Sequence, residues 1–424
     1  MKEQISSMNN VVVTGQQIGL LGGPLYTTYK VLGAVHLARQ MNGSAVYWLE
    51  TNDADFNEIN HIDYLDAEGQ LRTLRWDIDT RGFSCGYVEV DEKLVSLLET
   101  FFSTLRQTEF TQALRETALG CYEKGVTLAE ASQRLAAQLF GDFGIRIFTP
   151  FEREFRDFSK PMLLKEAERA REGEQCNLFC MVGKQRKAVF KGPAVPGGKS
   201  EYRLRDGTAV DLADYDLVSN VKTRSVLQDA YFHTHTYVAG PGEVKYLAEM
   251  GPQFEFHGVK QAAVQPRMSL TLIEPRVKRL LKKRDVTIEE VLNTAKEDLL
   301  RQAMEKAVGF DFKETQRAGF ELTGEYLDKL AQLGFETAEL KGIRKFLLDE
   351  VKKGCGNLRA REKEKHDQLL KDIVSLSDNL LPFGKKQERV FNLFYYMNLY
   401  GEKTFVHMLS ENHDWQRNVL EIEQ

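Results

Sequence analysis

The feature that most constrains this chain lies near its start, where an apolar run breaks into glycines and then into helical spacing: VVVTGQQIGLLGGPLYTTYK, residues 11–30. Val11, Val12 and Val13 predict a buried strand. Gly15, Gly19, Gly22 and Gly23 free the backbone to turn tightly, and Pro24 suits a first helical position because it has no amide hydrogen to lose there. A strand passing through glycines into a helix gathers unpaired amides and the positive helix end at one spot, which suits a phosphate or carboxylate. The spacing is neither G-x-G-x-x-G nor Walker A, so a regular dinucleotide or P-loop site is unsupported.

The pattern then repeats. Leu25, Tyr29 and Leu32 give a helix over about 24–40 an apolar face, and SAVYWLE reads as a second buried strand. A polar segment, ETNDADFNEINHIDYLD, follows. Later, THTYVAGPGEVKYLAEM carries another apolar strand (Tyr237, Val238) into Gly240-Pro241-Gly242, with Glu243 in the first helical turn, where a carboxylate is favoured. KQAAVQPRM predicts a further strand. Alternation of this kind indicates an α/β fold with an open, mostly parallel sheet and ligands bound beyond the carboxyl ends of its strands. Within this core (1–268), an insertion is expected over about 68–210. It would hold a short β piece near Val88, an amphipathic helix over 92–139, the strand GIRIFTP, a helix over 159–171 and the turn-rich KGPAVPGGKSEYRLRDG.

From residue 269 to 378 the texture is proline-poor and rich in Leu, Lys, Glu and Arg. Leu340, Ile343, Leu347 and Val351 step by three or four, as do Leu369, Ile373 and Leu376, with breaks expected at Gly309 and Gly334. This predicts a long antiparallel coiled-coil arm, whose narrow apolar stripe calls for a second copy and hence a homodimer. Residues 379–424 are too aromatic for an exposed tail and should return to the core.

Composition narrows the classes. A chain of 424 residues, 42% hydrophobic and 28% charged, is an ordinary globular protein of two or three domains. Its net charge of −5 gives no support to nucleic-acid binding. No apolar run is long enough for a bilayer, and MKEQISSMNN lacks a signal peptide's apolar segment. Five scattered cysteines, with Cys176 and Cys180 forming no complete zinc set, read as reduced thiols of a cytoplasmic protein.

Candidate chemistry gathers at the turns. Gln16 and Gln17 offer amide donors and acceptors, and Lys30 a positive charge; the plainer alternatives are turn stabilisation and a solvated helix face. Asp53 and Asp55, one residue apart beside Glu58, Asn60 and His61, can hold Mg²⁺ with a nucleotide. Alternatively His61, with an ordinary pKa of about 6.5, can shuttle a proton. The bland alternative is a solvated acidic loop. Arg224, Gln228, Asp229, Gly240, Gly242 and Glu243 surround the second turn, with Arg224 as the carboxylate or phosphate clamp. His233 and His235 alternate on a strand but have no third ligand and read as structural. The basic run Arg276–Arg284 is a solvated face or an approach to phosphates. No cysteine sits in an activating context.

These segments resemble one known family. TGQQIGLLGGPLYTTYK, WLETNDADFNEINH, SVLQDAYFHTHTYVAGPGEVKYLAEM, PRMSLTLIEPRVKRLL and LLPFGKKQERVFNLFYYMNLYG occur in the order found in the BshC family, the cysteine-adding enzymes of bacillithiol synthesis. The resemblance implies a Rossmann-like core with inserted connecting segments and a coiled-coil arm that pairs two subunits. It implies a ligase joining cysteine to glucosaminyl-malate at a site that uses ATP or another nucleotide. It also implies roles for Lys385, Gln387, Arg389 and Asn392 in closing over a ligand, beside Gly22 and Gly23 of the first turn and Asn52 of the polar segment as further candidate binding residues. Two departures stand out: a longer helical stretch is expected ahead of the first strand, and the family's Glu and His are replaced by Asn52 and Ala54. The alternatives are a diverged dimeric protein that binds nucleotides or small acids without ligase activity, and a nucleotidyl transferase on the same sheet.

Overall fold

A computed structural model describes residues 10–194 and 200–422. The polar N-terminus and the Pro/Gly centre of the turn-rich segment lie outside the described residues. The chain divides into two compact units, Met1–Thr271 with Glu388–Val419, and Leu272–Gln387 with Leu420–Gln424.

The first unit is built on strands β1 (Val11–Gln17) and β2 (Ser44–Glu50), a hairpin of β3 (His61–Leu65) and β4 (Leu71–Arg75), and β5 (Arg146–Phe148). An antiparallel sheet follows, made of β6 (Gln175–Val182), β7 (Gln185–Ala194), β8 (Ser200–Leu204), β9 (Ala209–Val210) and β10 (Leu217–Ser219). Strands β11 (Thr234–Ala239) and β12 (Ala263–Pro266) complete the main sheet, whose order is β12-β11-β1-β2-β5 with every neighbouring pair parallel. Val13 lies between Tyr237 and Val46. Val11, Val12 and Val13 are all buried, as a parallel strand covered on both faces requires. Val11, Val13, Val46, Trp48 and Phe148 share one core with Leu178, Cys180 and Val189 of the antiparallel sheet.

Several boundaries differ from expectation. The span 68–210 is no single insertion, because β5 returns to the main sheet inside it. The long helix expected over 92–139 is three: Glu92–Thr104, Thr111–Cys121 and Leu128–Phe140, with Asp91 and Thr127 capping the first and third. The helix expected from Ser159 begins at Arg153 and runs through Pro161 to Arg169. Its buried positions Phe155, Ser159, Leu163 and Ala167 recur every four residues across the proline, so one continuous packed face outweighs the lost N–H bond. Near Val88 there is a 3-10 turn, Cys85–Tyr87, and an isolated bridge from Glu89 to Thr127.

The aromatic segment after Glu388 belongs to the first unit, where Phe391, Phe394 and Tyr396 are fully buried and Phe394 meets Phe102 edge-on. The second unit is helical: Pro275–Arg284, Ile288–Asn293, Lys296–Val308, Phe312–Gln332, Thr337–Lys365 and Asp367–Leu380. Gly309 (φ 83°) ends the third of these, and Gly334 (φ 92°) turns the chain between the two longest. A Cβ on Gly319 would meet Val351 Cγ1 at 2.8 Å, so these two helices pack closely at that point. In the basic run, Lys283 and Arg284 pair with Asp372 at 2.9 and 2.6 Å.

Candidate functional site

From β1 the chain builds outward through β2 and β5, then returns to the other side of β1 for β11 and β12. Where the direction reverses, a crevice opens beyond the carboxyl ends of the strands. A cavity of about 630 Å³ lies there, a size suited to a small-molecule substrate. β1 contributes Gly15, Gln16 and Gln17, β2 its last residue Glu50, the helix start after β11 Gly240, Pro241, Gly242 and Glu243, and the position just past β12 Arg267. Tyr26 and Lys30 come from the helix Leu25–Gln40, and Asn220 and Arg224 from the start of Val221–Phe232. Phe179 and Arg186 come from the antiparallel sheet, Asp53 from a loop and Arg389 from the short turn Gln387–Arg389.

Lys30 joins the two strand ends. It is 1% exposed, and its Nζ donates to the Gly15 carbonyl and to Glu243 Oε2, each at 2.5 Å. Glu243 also accepts from the Gly240 amide (2.7 Å) and from the Tyr237 hydroxyl (2.6 Å). Burial disfavours the Glu243 charge, but Lys30 and Arg224 outweigh it and hold the carboxyl below its ordinary value. Burial lowers Lys30, with Glu243 opposing it. Burial also pushes the Tyr237 phenol well up, so it remains a donor. Lys30 is thus no solvated face but a bolt between β1 and the turn after β11.

Arg224 lies across this assembly. Its Nη2 donates to the hydroxyls of Tyr237 (3.2 Å) and Tyr246 (3.4 Å) and stands 3.7 Å from Glu243 Oε1. Arg267 is held in a nearly buried two-point pair with Glu388, at 2.7 and 2.9 Å. Arg389 is exposed over the Tyr26 ring, 5.8 Å from its centroid, and makes no ion pair among the described residues. The helices Val221–Phe232 and Pro241–Ala248 both start at the cavity, adding their positive ends. Five cationic side chains face three carboxylates, which suits an anionic ligand.

The structure brings Gln16, Gln17, Lys30, Asp53, Arg224, Gly240, Gly242, Glu243 and Arg389 together and leaves other candidates elsewhere. The helix after the glycines does not offer its amino end to a ligand. Pro24 is its cap rather than its first residue, and the Leu25 amide donates to the Phe391 carbonyl at 2.9 Å. Gly22 and Gly23, both at positive φ, belong to a packed turn. Asn392 Nδ2 holds that turn through the carbonyls of Leu20, Leu21 and Gly23. Asn60 binds the Trp76 carbonyl and Arg75. Asn52 is buried outside the cavity lining. Gln228 and Asp229 are buried against each other, with Asp229 accepting from the Ala262 amide. Burial raises Asp229 to about 6. Gln387 binds the Leu272 backbone, and Lys385 is an exposed residue of the second unit. His233 is not on the strand at all: it ends a helix at φ 50°, and His235 is exposed on β11.

The acidic loop also separates. Asp53 hydrogen-bonds Gln17, pairs with Arg186 at 3.2 Å and caps the amides of Ala54 and Asp55. Burial opposes its charge, but the Gln17 bond and Arg186 lower its pKa overall. Asp55 and Glu58 are exposed and outside the cavity lining, and His61 opens β3, 3.9 Å from Asp63. Asp53 is already neutralised by Arg186, so this donor set does not fit Mg²⁺, and among the described residues no group of three or more His, Cys, Asp or Glu is placed to hold a metal. Sequence reasoning missed Glu50, Tyr26, Phe179, Arg186 and Arg267 as cavity residues. Glu50 and Arg267 had one usable signal, their position at a strand's carboxyl end.

Fold and site define a class: an α/β protein with a crevice lined by cationic side chains at the switch point of a parallel sheet, whose chain continues into a helical unit. Family models give the particular assignment. The N-terminal Rossmann-like domain of bacillithiol biosynthesis BshC matches residues 1–176 and 169–268, and the C-terminal coiled-coil domain matches 270–422. The chain belongs to the BshC family of bacillithiol biosynthesis. Proteins named "Putative cysteine ligase BshC" are similar over nearly all of it. The one from Chlorobaculum tepidum is 28% identical, covering 92% of this chain and 78% of the relative. That of Heliobacterium modesticaldum is 29% identical (95% and 81%), and that of Staphylococcus carnosus 25% (93% and 81%). No described helix is long and apolar enough to cross a membrane.

Proposed function

We propose that this chain is a cytoplasmic ligase of bacillithiol biosynthesis that joins cysteine to glucosaminyl-malate through an amide bond. The observation that supports this reading is the cationic wall at the strand ends. Arg389, which makes no ion pair among the described residues, and Arg224 line one cavity with two helix amino ends, a setting for the carboxylates of a malate-type acid, while Arg267, committed to Glu388, adds its charge to the wall. Amide formation from a free acid in water needs an activated acyl group, so a nucleoside triphosphate is proposed as the energy source. The chain's own contribution is to hold both substrates in register and to stabilise charge on the acyl oxygen with fixed donors. Purified protein supplied with glucosaminyl-malate, cysteine and ATP is expected to yield the thiol product by mass spectrometry, and no product under varied nucleotides would refute the reading. The second unit leaves Leu322, Tyr326, Leu333, Phe335 and Phe346 more than half exposed, which supports a homodimer through this arm. Light scattering tests that state.

One observation favours a binding protein without turnover: among the described residues, no histidine lines the cavity. Thermal stabilisation by nucleotide or malate without product would establish it.

A further inference from the structure

Three carboxylates line the cavity, and their surroundings differ. Glu243 meets Lys30 at 2.5 Å and Asp53 meets Arg186 at 3.2 Å. Glu50 has no cationic side chain within 4.0 Å among the described residues. Its two oxygens accept from neutral donors instead, Oε2 from Trp48 Nε1 at 3.1 Å and Oε1 from the Asn52 amide at 3.0 Å. A carboxylate oxygen has room for two donors, so each keeps one direction open. Trp48 is fully buried and the Asn52 amide is part of the chain, so the group is fixed in orientation at the cavity wall. Burial raises its pKa, with Arg224 opposing and Asp53 reinforcing.

An amino acid that reacts through its nitrogen needs a partner for that ammonium. Glu243 and Asp53 are already neutralised. We infer that Glu50 is the ammonium-recognition group of this cavity, receiving the α-ammonium of the incoming amino acid while the arginine wall takes the carboxylates of the acid. This deepens the ligase reading and rests on it. It divides the cavity into an amine end at the close of β2 and an acid end under β11 and β12.

The test compares L-cysteine with 3-mercaptopropionate, which keeps the thiol and carboxylate but has no ammonium, by calorimetric titration of the full chain in saturating malate under reducing conditions. Wild type is expected to bind cysteine at least tenfold more tightly than the desamino compound. Glu50→Gln keeps the shape and is expected to cut that preference below threefold, with malate affinity unchanged within twofold. A preference that survives in the variant, or affinities that weaken alike, would overturn the inference and leave Glu50 structural. If Glu50→Gln does not fold, Glu50→Ala, which also removes the charge, takes its place with the same expectation. Equal affinity of wild type for the two compounds refutes the assignment without any variant. Wild type that binds neither malate nor cysteine removes the ligase reading and this inference with it, whereas malate binding without an ammonium preference removes the inference alone.

Discussion

The guanidinium of Arg224 occupies the space where a side chain at Gly15 would begin: a Cβ there would lie 2.4 Å from Nη1. Gly15 has a place in the strand because an arginine from a helix some two hundred residues later must reach past the β1 backbone. Gly15→Ala is therefore expected to keep the fold, since the clashing atom is the end of a flexible side chain, and to displace the clamp. Malate affinity should fall about tenfold, the scale of one charge-assisted hydrogen bond, measured by calorimetry. Melting temperature should move little. A large loss of stability with affinity retained would contradict this.

Lys30→Met removes the cation from a largely buried pair and strands Glu243, a change expected to cost about 3 kcal/mol in chemical denaturation. The same pair sets an acid limb. Glu243 has a lower pKa in the folded chain than its ordinary 4.5, so the unfolded chain binds more protons between the two values. The stability it contributes is present above about pH 4.5 and is lost as the pH falls through the folded value. Lys30→Met should flatten that limb. An unchanged acid slope would show that the pair does not carry it.

Asn392→Ala should act on stability rather than binding. The amide bridges the carbonyls of Leu20, Leu21 and Gly23, and its Oδ1 accepts from the Phe394 amide at 2.8 Å. Leu21 is held at φ 51°, a conformation an ordinary residue adopts only when its surroundings enforce it. A loss of about 2 kcal/mol is expected from the unpaired buried groups, read by urea titration, with ligand affinity near wild type.

His61→Ala is expected to retain product formation within about twofold. Its side chain belongs to the β3–β4 hairpin and not to the cavity wall. A hundredfold loss, the scale of a missing general base, would return the imidazole to the chemistry.

Much of the sheet was legible because its signals are local. Val11–Val13 and Tyr237–Val238 announce buried strands, and the Gly/Pro turns after them mark the edge where the cavity opens. Contiguity misled where the chain changed element within a motif. Asp53 and His61 are eight positions apart, yet a 3-10 turn (Phe56–Glu58) and a new strand intervene, so only Asp53 reaches the cavity. Glycines misled in the same way. Gly15 serves the site, whereas Gly22 and Gly23 serve a turn held by Asn392, and no spacing rule separates those uses. Arg186 and Phe179 were invisible because nothing in a β-hairpin shows that it will lie over a strand end more than one hundred residues earlier.

That hairpin, β6 to β7, carries the stacked Phe179 and Arg186, whose guanidinium lies 4.3 Å from the ring centroid, and Arg186 pairs with Asp53 in the cavity lining. Two parts of the lining thus come from separately paired sheets. Substitutions on that hairpin can therefore change one side of the cavity without disturbing the register of the parallel strands, so the shape of the space and the geometry of the strand ends are separable properties of this fold.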